Sequence, residues 1–124
     1  MVGLDDHLVI CAGAELVNGG KGHRFSIEQD GEKIPAFVIR FKDKVHGYVN
    51  RCSHQAFELD WNPGEFFDLD SRFLMCSTHG ALFNPDNGQC VFGRCNGIGL
   101  KKLDIHEAGG KVYLQNRTKV GTSR

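Results

Sequence analysis

Two short segments constrain this fold more than anything else in the chain: Cys52-Ser53-His54 and Cys76-Ser77-Thr78-His79. Each offers one thiol and one imidazole, a soft anionic ligand beside a neutral nitrogen ligand. Between His54 and Cys76 lie 21 residues. Bonds from a metal to sulfur or nitrogen are only about 2.0–2.3 Å long. If the four side chains serve one centre, two loops far apart in sequence must meet at one end of a scaffold. The remaining residues must build that scaffold.

The scaffold reads as β structure. A chain of 124 residues allows one compact domain and not two. Nine phenylalanines in a 40% hydrophobic composition can fill a core, which argues against global disorder. Sixteen glycines among short apolar runs favour turn-rich strands over a helical bundle. Residues 8–11 read as a first strand, and residues 14–17 as one turn of helix stopped by Asn18-Gly19-Gly20. Residues 22–28 alternate, with His23, Phe25 and Ile27 on one face and Arg24, Ser26 and Glu28 on the other, the pattern of a strand with one buried face. Asp30-Gly31 marks a turn. Residues 35–41 are nearly continuously apolar, and Pro35 suits an edge or first position.

Lys42-Asp43-Lys44 turns the chain into a strand over 45–50 that delivers it to Cys52. Residues 55–68 are acidic, aromatic and non-periodic, a long loop whose Trp61, Phe66 and Phe67 either pack back on the sheet or form a docking patch. Short strands follow at 72–75, 81–83 and 89–92, the last two separated by the turn signal Asn84-Pro85-Asp86-Asn87-Gly88. Residues 93–99 are loop, and 102–106 and 111–115 form a hairpin around Ala108-Gly109-Gly110. The tail, 116–124, is polar and expected to fray. The fold class is therefore all-β, an antiparallel sandwich or barrel. Both ligand pairs sit at one end of a small unit spanning about residues 45–91.

Fifteen acidic and fifteen basic residues leave no net charge, so nothing calls for nucleic acid or an anionic membrane. No run approaches the roughly 20 apolar residues of a membrane span, and the expected location is the cytoplasm. There, five cysteines, an odd number, read as metal ligation plus free thiols. On this reading Cys90 and Cys95 are free rather than bridged, and Cys11 is a small buried residue of the first strand. His7, His23, His46 and His106 are scattered over separate strands and read as ordinary surface or interface residues rather than a second metal site.

Two cysteines and two histidines suit a cluster with two inequivalent irons, Cys52 and Cys76 on one and His54 and His79 on the other. Replacing two thiolates by neutral imidazoles removes negative charge from one iron. The potential then rises from about −400 mV to between about −150 and +300 mV. The second nitrogen of each imidazole can face outward and bond a partner. Such a site is a one-electron carrier with no substrate pocket built in.

The pattern Cys52-x-His54 … Cys76-x-x-His79-Gly80 resembles the Rieske [2Fe–2S] family, and more closely its small bacterial ferredoxin-like members. The resemblance runs from about residue 8 to 114, with 50–99 as its core and about 45–99 as the cluster-binding part of a single domain. It implies a Rieske-type β-sandwich and one [2Fe–2S] cluster held by Cys52, His54, Cys76 and His79. By the same resemblance, Gln55, Ala56, Gly80 and Ala81 would lie beside the cluster. The implied function is electron transfer between a flavoprotein or other reductase and a terminal oxygenase. The chain itself would not be an enzyme: an oxygenase subunit needs a separate mononuclear iron site of two histidines and a carboxylate on a further domain.

Three departures from the family pattern are informative. Where high-potential members carry a disulfide between the cluster loops, this chain has Phe57 and Thr78. Where they carry a Ser and a Tyr that bond to sulfur, it has Ala81 and Phe83, so the implied potential is low. A Gly-Pro common after the second loop is replaced by Gly93-Arg94. Two other readings stand beside the carrier. One is a redox-sensing or assembly protein. The other is a structural zinc module, which two cysteines and two histidines also satisfy, although zinc sites more often pair like with like.

Overall fold

The apolar run at residues 36–39 points side chains both ways, and such a strand needs cover on both faces. The computed structural model describes residues 7–29, 31–51, 58–60, 62–76, 80–93 and 99–115. Its strands are β1 (His7–Ala12), β2 (His23–Gln29), β3 (Glu32–Phe41), β4 (Lys44–Val49), β5 (Leu74–Met75), β6 (Leu82–Phe83), β7 (Cys90–Phe92), β8 (Lys102–Leu103), β9 (Ile105–Ala108) and β10 (Lys111–Gln115). A single 3-10 turn, Gly13–Glu15, follows β1 where one turn of helix was expected. The strands pair antiparallel in three sheets, ordered β1-β10-β9, β2-β3-β4-β8 and β5-β6-β7.

The four-stranded sheet is the middle layer. On one face, Phe37, Ile39 and Tyr48 pack with Leu59, Phe66, Leu74, Cys76, Ala81, Phe83 and Leu100. On the other, Ala36 and Val38 pack with residues of β1 and β10, among them Cys11, Val112 and Leu114. Residues 36–39 are thus wholly buried because β3 is shared between two cores. Full burial of Phe37, Val38 or Ile39 contributes about 1.5–3 kcal/mol each. Phe66 stacks on Phe37 with ring centroids 3.9 Å apart, and Phe67 lies 6.0 Å from Phe41. The described aromatics of the 58–68 loop therefore pack back on the sheet, which overturns the docking-patch reading for them. Trp61 lies outside the described residues.

Two expectations need correction. Pro35 is neither at the start nor on an edge: it lies within β3, the second strand of its sheet. Its carbonyl accepts a bond from the Asn50 N–H at 2.8 Å, so its missing N–H also faces β4, just past Val49 where the ladder ends. Nor does the small sheet begin at residue 45. β4 pairs with β3 and β8, so that sheet holds only β5, β6 and β7.

The turn between β3 and β4 places Lys42 (φ 52°) and Asp43 (φ 68°) in the left-handed region, as a two-residue hairpin demands. Asn18 reaches across to hold it. Its amide donates to Asp43 Oδ1 (2.8 Å), and the Asp43 N–H donates to its Oδ1 (2.7 Å). No helix among the described residues is long and apolar enough to cross a membrane.

Candidate metal centre

Of the four expected ligands, only Cys76 falls among the described residues; Cys52, His54 and His79 lie outside them, as do Gln55 and Ala56. Cys76 is fully buried and forms no disulfide. It follows β5 directly, and its backbone is engaged by the turn it opens. Its N–H donates to the Ala81 carbonyl (2.9 Å), and its carbonyl accepts from Gly80 N–H (2.7 Å). Gly80 takes φ +72° with open space around its α-carbon, a conformation that favours glycine. The turn is anchored from behind by Met75 N–H donating to the Phe66 carbonyl at 2.9 Å. Ala81 is fully buried in the same core as Cys76.

The other loop is held at both ends. Asn50, at the close of β4, is wholly buried. Its Oδ1 accepts from the Leu59 N–H at 2.9 Å, and its amide donates to Asp60 Oδ1 at 3.2 Å. The Asp60 side chain is 1% exposed; its other oxygen accepts from Gly64 N–H (3.0 Å) and lies 3.3 Å from Arg24 Nε. Arg24 also bonds Glu58 at 2.7 Å. One side chain thus joins the residue before the 52–57 segment to the residues after it. Sequence patterning missed this network, because a buried asparagine follows no periodicity. Its place two residues before Cys52 was the available signal.

A third segment closes over the second loop. Gly93 takes φ +98°, and a β-carbon there would lie 2.8 Å from the Ala81 α-carbon. Only glycine permits that approach. Behind it, the turn over 84–88 is pinned by Tyr48 Oη donating to the Pro85 carbonyl at 2.6 Å and by Gly88 N–H donating to Asn84 at 2.7 Å. Burial pushes the Tyr48 hydroxyl above its ordinary range, with Asp86 adding to the effect. Cys90, expected as a free thiol, is disulfide-bonded. It is half-buried at the start of β7, and reasoning from the compartment did not foresee its bridge.

The family model described as Rieske [2Fe-2S] domain matches residues 6–102. The chain belongs to the Rieske [2Fe-2S] domain family. The cofactor of this Rieske domain is accordingly a [2Fe–2S] cluster. The described residues fit such a group: Cys76 offers a fully buried thiol that forms no disulfide, Gly80 has open space at its α-carbon, and Ala81 adds only a methyl group. No curated protein sequence matches. Solved structures share its fold. A chain of the complex of reduced oxygenase and oxidized ferredoxin in carbazole 1,9a-dioxygenase is 22% identical, with TM-score 0.69 over 90% of this chain and 94% of that one. The ferredoxin of carbazole 1,9a-dioxygenase from Nocardioides aromaticivorans IC177 is 21% identical, with TM-score 0.67 over 89% and 97%. The terminal oxygenase from the same organism is 19% identical, with TM-score 0.66 over 90% of this Rieske domain but 30% of the oxygenase.

Proposed function

We propose that this Rieske protein is a one-electron carrier that takes electrons from a reductase, such as a flavoprotein, and passes them to a terminal oxygenase. The supporting observation is the family match over residues 6–102 together with a fold shared with the carbazole 1,9a-dioxygenase ferredoxin over 97% of that protein. The proposed ligands are Cys52 and Cys76 on one iron and His54 and His79 on the other. The bound cluster would supply reversible one-electron chemistry. The chain's own residues fix where that happens. Asn50 and Asp60 clamp the first loop, the Cys76–Ala81 and Gly80–Cys76 bonds shape the second, and Gly93 brings the third onto Ala81.

Ala81 and Phe83 offer no side-chain hydroxyl, and both are fully buried. Without donors there, the reduced and more negative centre is less stabilised, so the proposed potential is low. At the rim, β7 exposes Val91 (48%) and Phe92 (67%) just before Gly93. An apolar edge of that size suits the small, transient contacts of electron-transfer partners.

Anaerobic reconstitution with iron and sulfide tests the reading. A red-brown protein with two irons per chain is expected, with a midpoint below about +100 mV and rapid reduction by a ferredoxin reductase. Cys76→Ser should lose the colour. A colourless wild-type chain after reconstitution would sink the proposal.

A further inference from the structure

Away from the cluster loops, three ligand-bearing side chains converge: Cys11 on β1, Glu15 in the 3-10 turn and His23 at the start of β2. Their sulfur, oxygen and nitrogen atoms all lie within 4.8 Å of one another. We propose that Cys11, Glu15 and His23 form a second metal site, which takes one divalent cation of the zinc class.

The geometry is close to what such an ion needs. His23 Nδ1 is 3.5 Å from Glu15 Oε1. Two ligand atoms about 2.1 Å from a tetrahedral zinc stand roughly 3.4 Å apart. The carboxylate is already oriented, because its other oxygen accepts from the Ala12 N–H at 3.3 Å. An exposed Glu–His ion pair would explain two of the three groups but not the sulfur. Cys11 is 7% exposed and forms no disulfide, and its thiol makes no hydrogen bond among the described residues. A thiolate and a carboxylate together match a 2+ charge, and the neutral imidazole completes three protein ligands. A fourth position remains for water or another small ligand.

Arg40, a cation whose charge reaches Cys11, does not oppose the ion unaided. Its guanidinium is engaged by Glu107 through bonds of 2.9 and 2.6 Å. Because β1 and β2 belong to different sheets, the ion would staple the outer sheet to the middle one.

Zinc titration of the iron-loaded protein against a chromogenic chelator tests this. The wild type should take up one zinc beyond its two irons, release a proton as the thiol becomes a thiolate, and melt at a higher temperature. His23→Gln, at a partly exposed position, should weaken zinc binding by about 100-fold or more while leaving iron content and visible spectrum unchanged. Cys11→Ala should do the same. If it does not fold, His23→Gln and Glu15→Gln decide the matter. No zinc uptake by the wild type at micromolar free zinc would overturn the proposal. So would equal uptake by His23→Gln, or zinc gained only as iron is lost.

Discussion

Asn50 shows how one side chain can govern a loop. It is fully buried, yet its oxygen and its amide are both used, on Leu59 and Asp60. Removing it takes the acceptor from the Leu59 N–H and the amide donor from Oδ1 of the nearly buried Asp60, whose Oδ2 keeps Gly64 and Arg24. Asn50→Ala should therefore cost about 1–3 kcal/mol in urea denaturation and speed iron loss from the reconstituted protein. Asn50→Asp keeps the shape but sets a second carboxylate against Asp60, so it should be at least as damaging. If Asn50→Asp is as stable as wild type, the clamp reading fails. Gly93 works by the opposite means, since what matters there is the atom it lacks.

At the level of elements, Arg40 ties the middle sheet to the outer one. It sits in β3, and its guanidinium forks onto both oxygens of Glu107 in β9. It also donates to the Leu16 carbonyl (2.9 Å) and the Gly13 carbonyl (3.1 Å) beside the 3-10 turn. That hydrogen bonding holds the Glu107 carboxyl below the usual carboxylate range and raises Arg40 above its own. The pair is only partly exposed, 15% and 30%. Arg40→Met should destabilise by about 2–3 kcal/mol, because an acid and two carbonyls lose their donor. Arg40→Lys should recover only part of this, since an ammonium cannot fork. Denaturant midpoints for the two variants measure the difference. A charge at residue 40, inside an apolar strand, was a signal in the sequence that periodicity alone passes over.

For the whole molecule, pH sets a window of stability. Burial lowers the proton affinity of His46, and Lys102 and Lys44 reinforce this against the opposing pull of Asp86. Above the ordinary histidine value of about 6.5 both folded and unfolded states are neutral there. As pH falls below it, the unfolded chain takes up a proton that the native state refuses, so stability drops. His46→Gln should flatten that acid limb in urea midpoints taken across pH 5–7 (roughly the histidine range). At the other end, burial and nearby Glu15 push the Cys11 thiol up to about 11 from 9.0. Between those values the unfolded chain loses a proton that the native thiol keeps, and stability falls as pH rises. With chelator present to keep metal away, Cys11→Ala should lessen that alkaline loss.

The sequence by itself determined the all-β class, most strand positions and the family, because alternation, turn residues and ligand spacing are local signals. It read β2 as a strand and placed a hairpin turn at Gly109-Gly110, although the strand expected over 102–106 divides between β8 and β9 in different sheets. Only the tertiary structure decided that β3 is covered on both faces, that Pro35 sits mid-strand at a ladder's end, and that Cys90 is bridged. It also brought Cys11, Glu15 and His23 together, which the scatter of histidines along the chain concealed. Each of these depends on which strands become neighbours. That choice is made by the summed burial of many side chains, and no short stretch of sequence contains it.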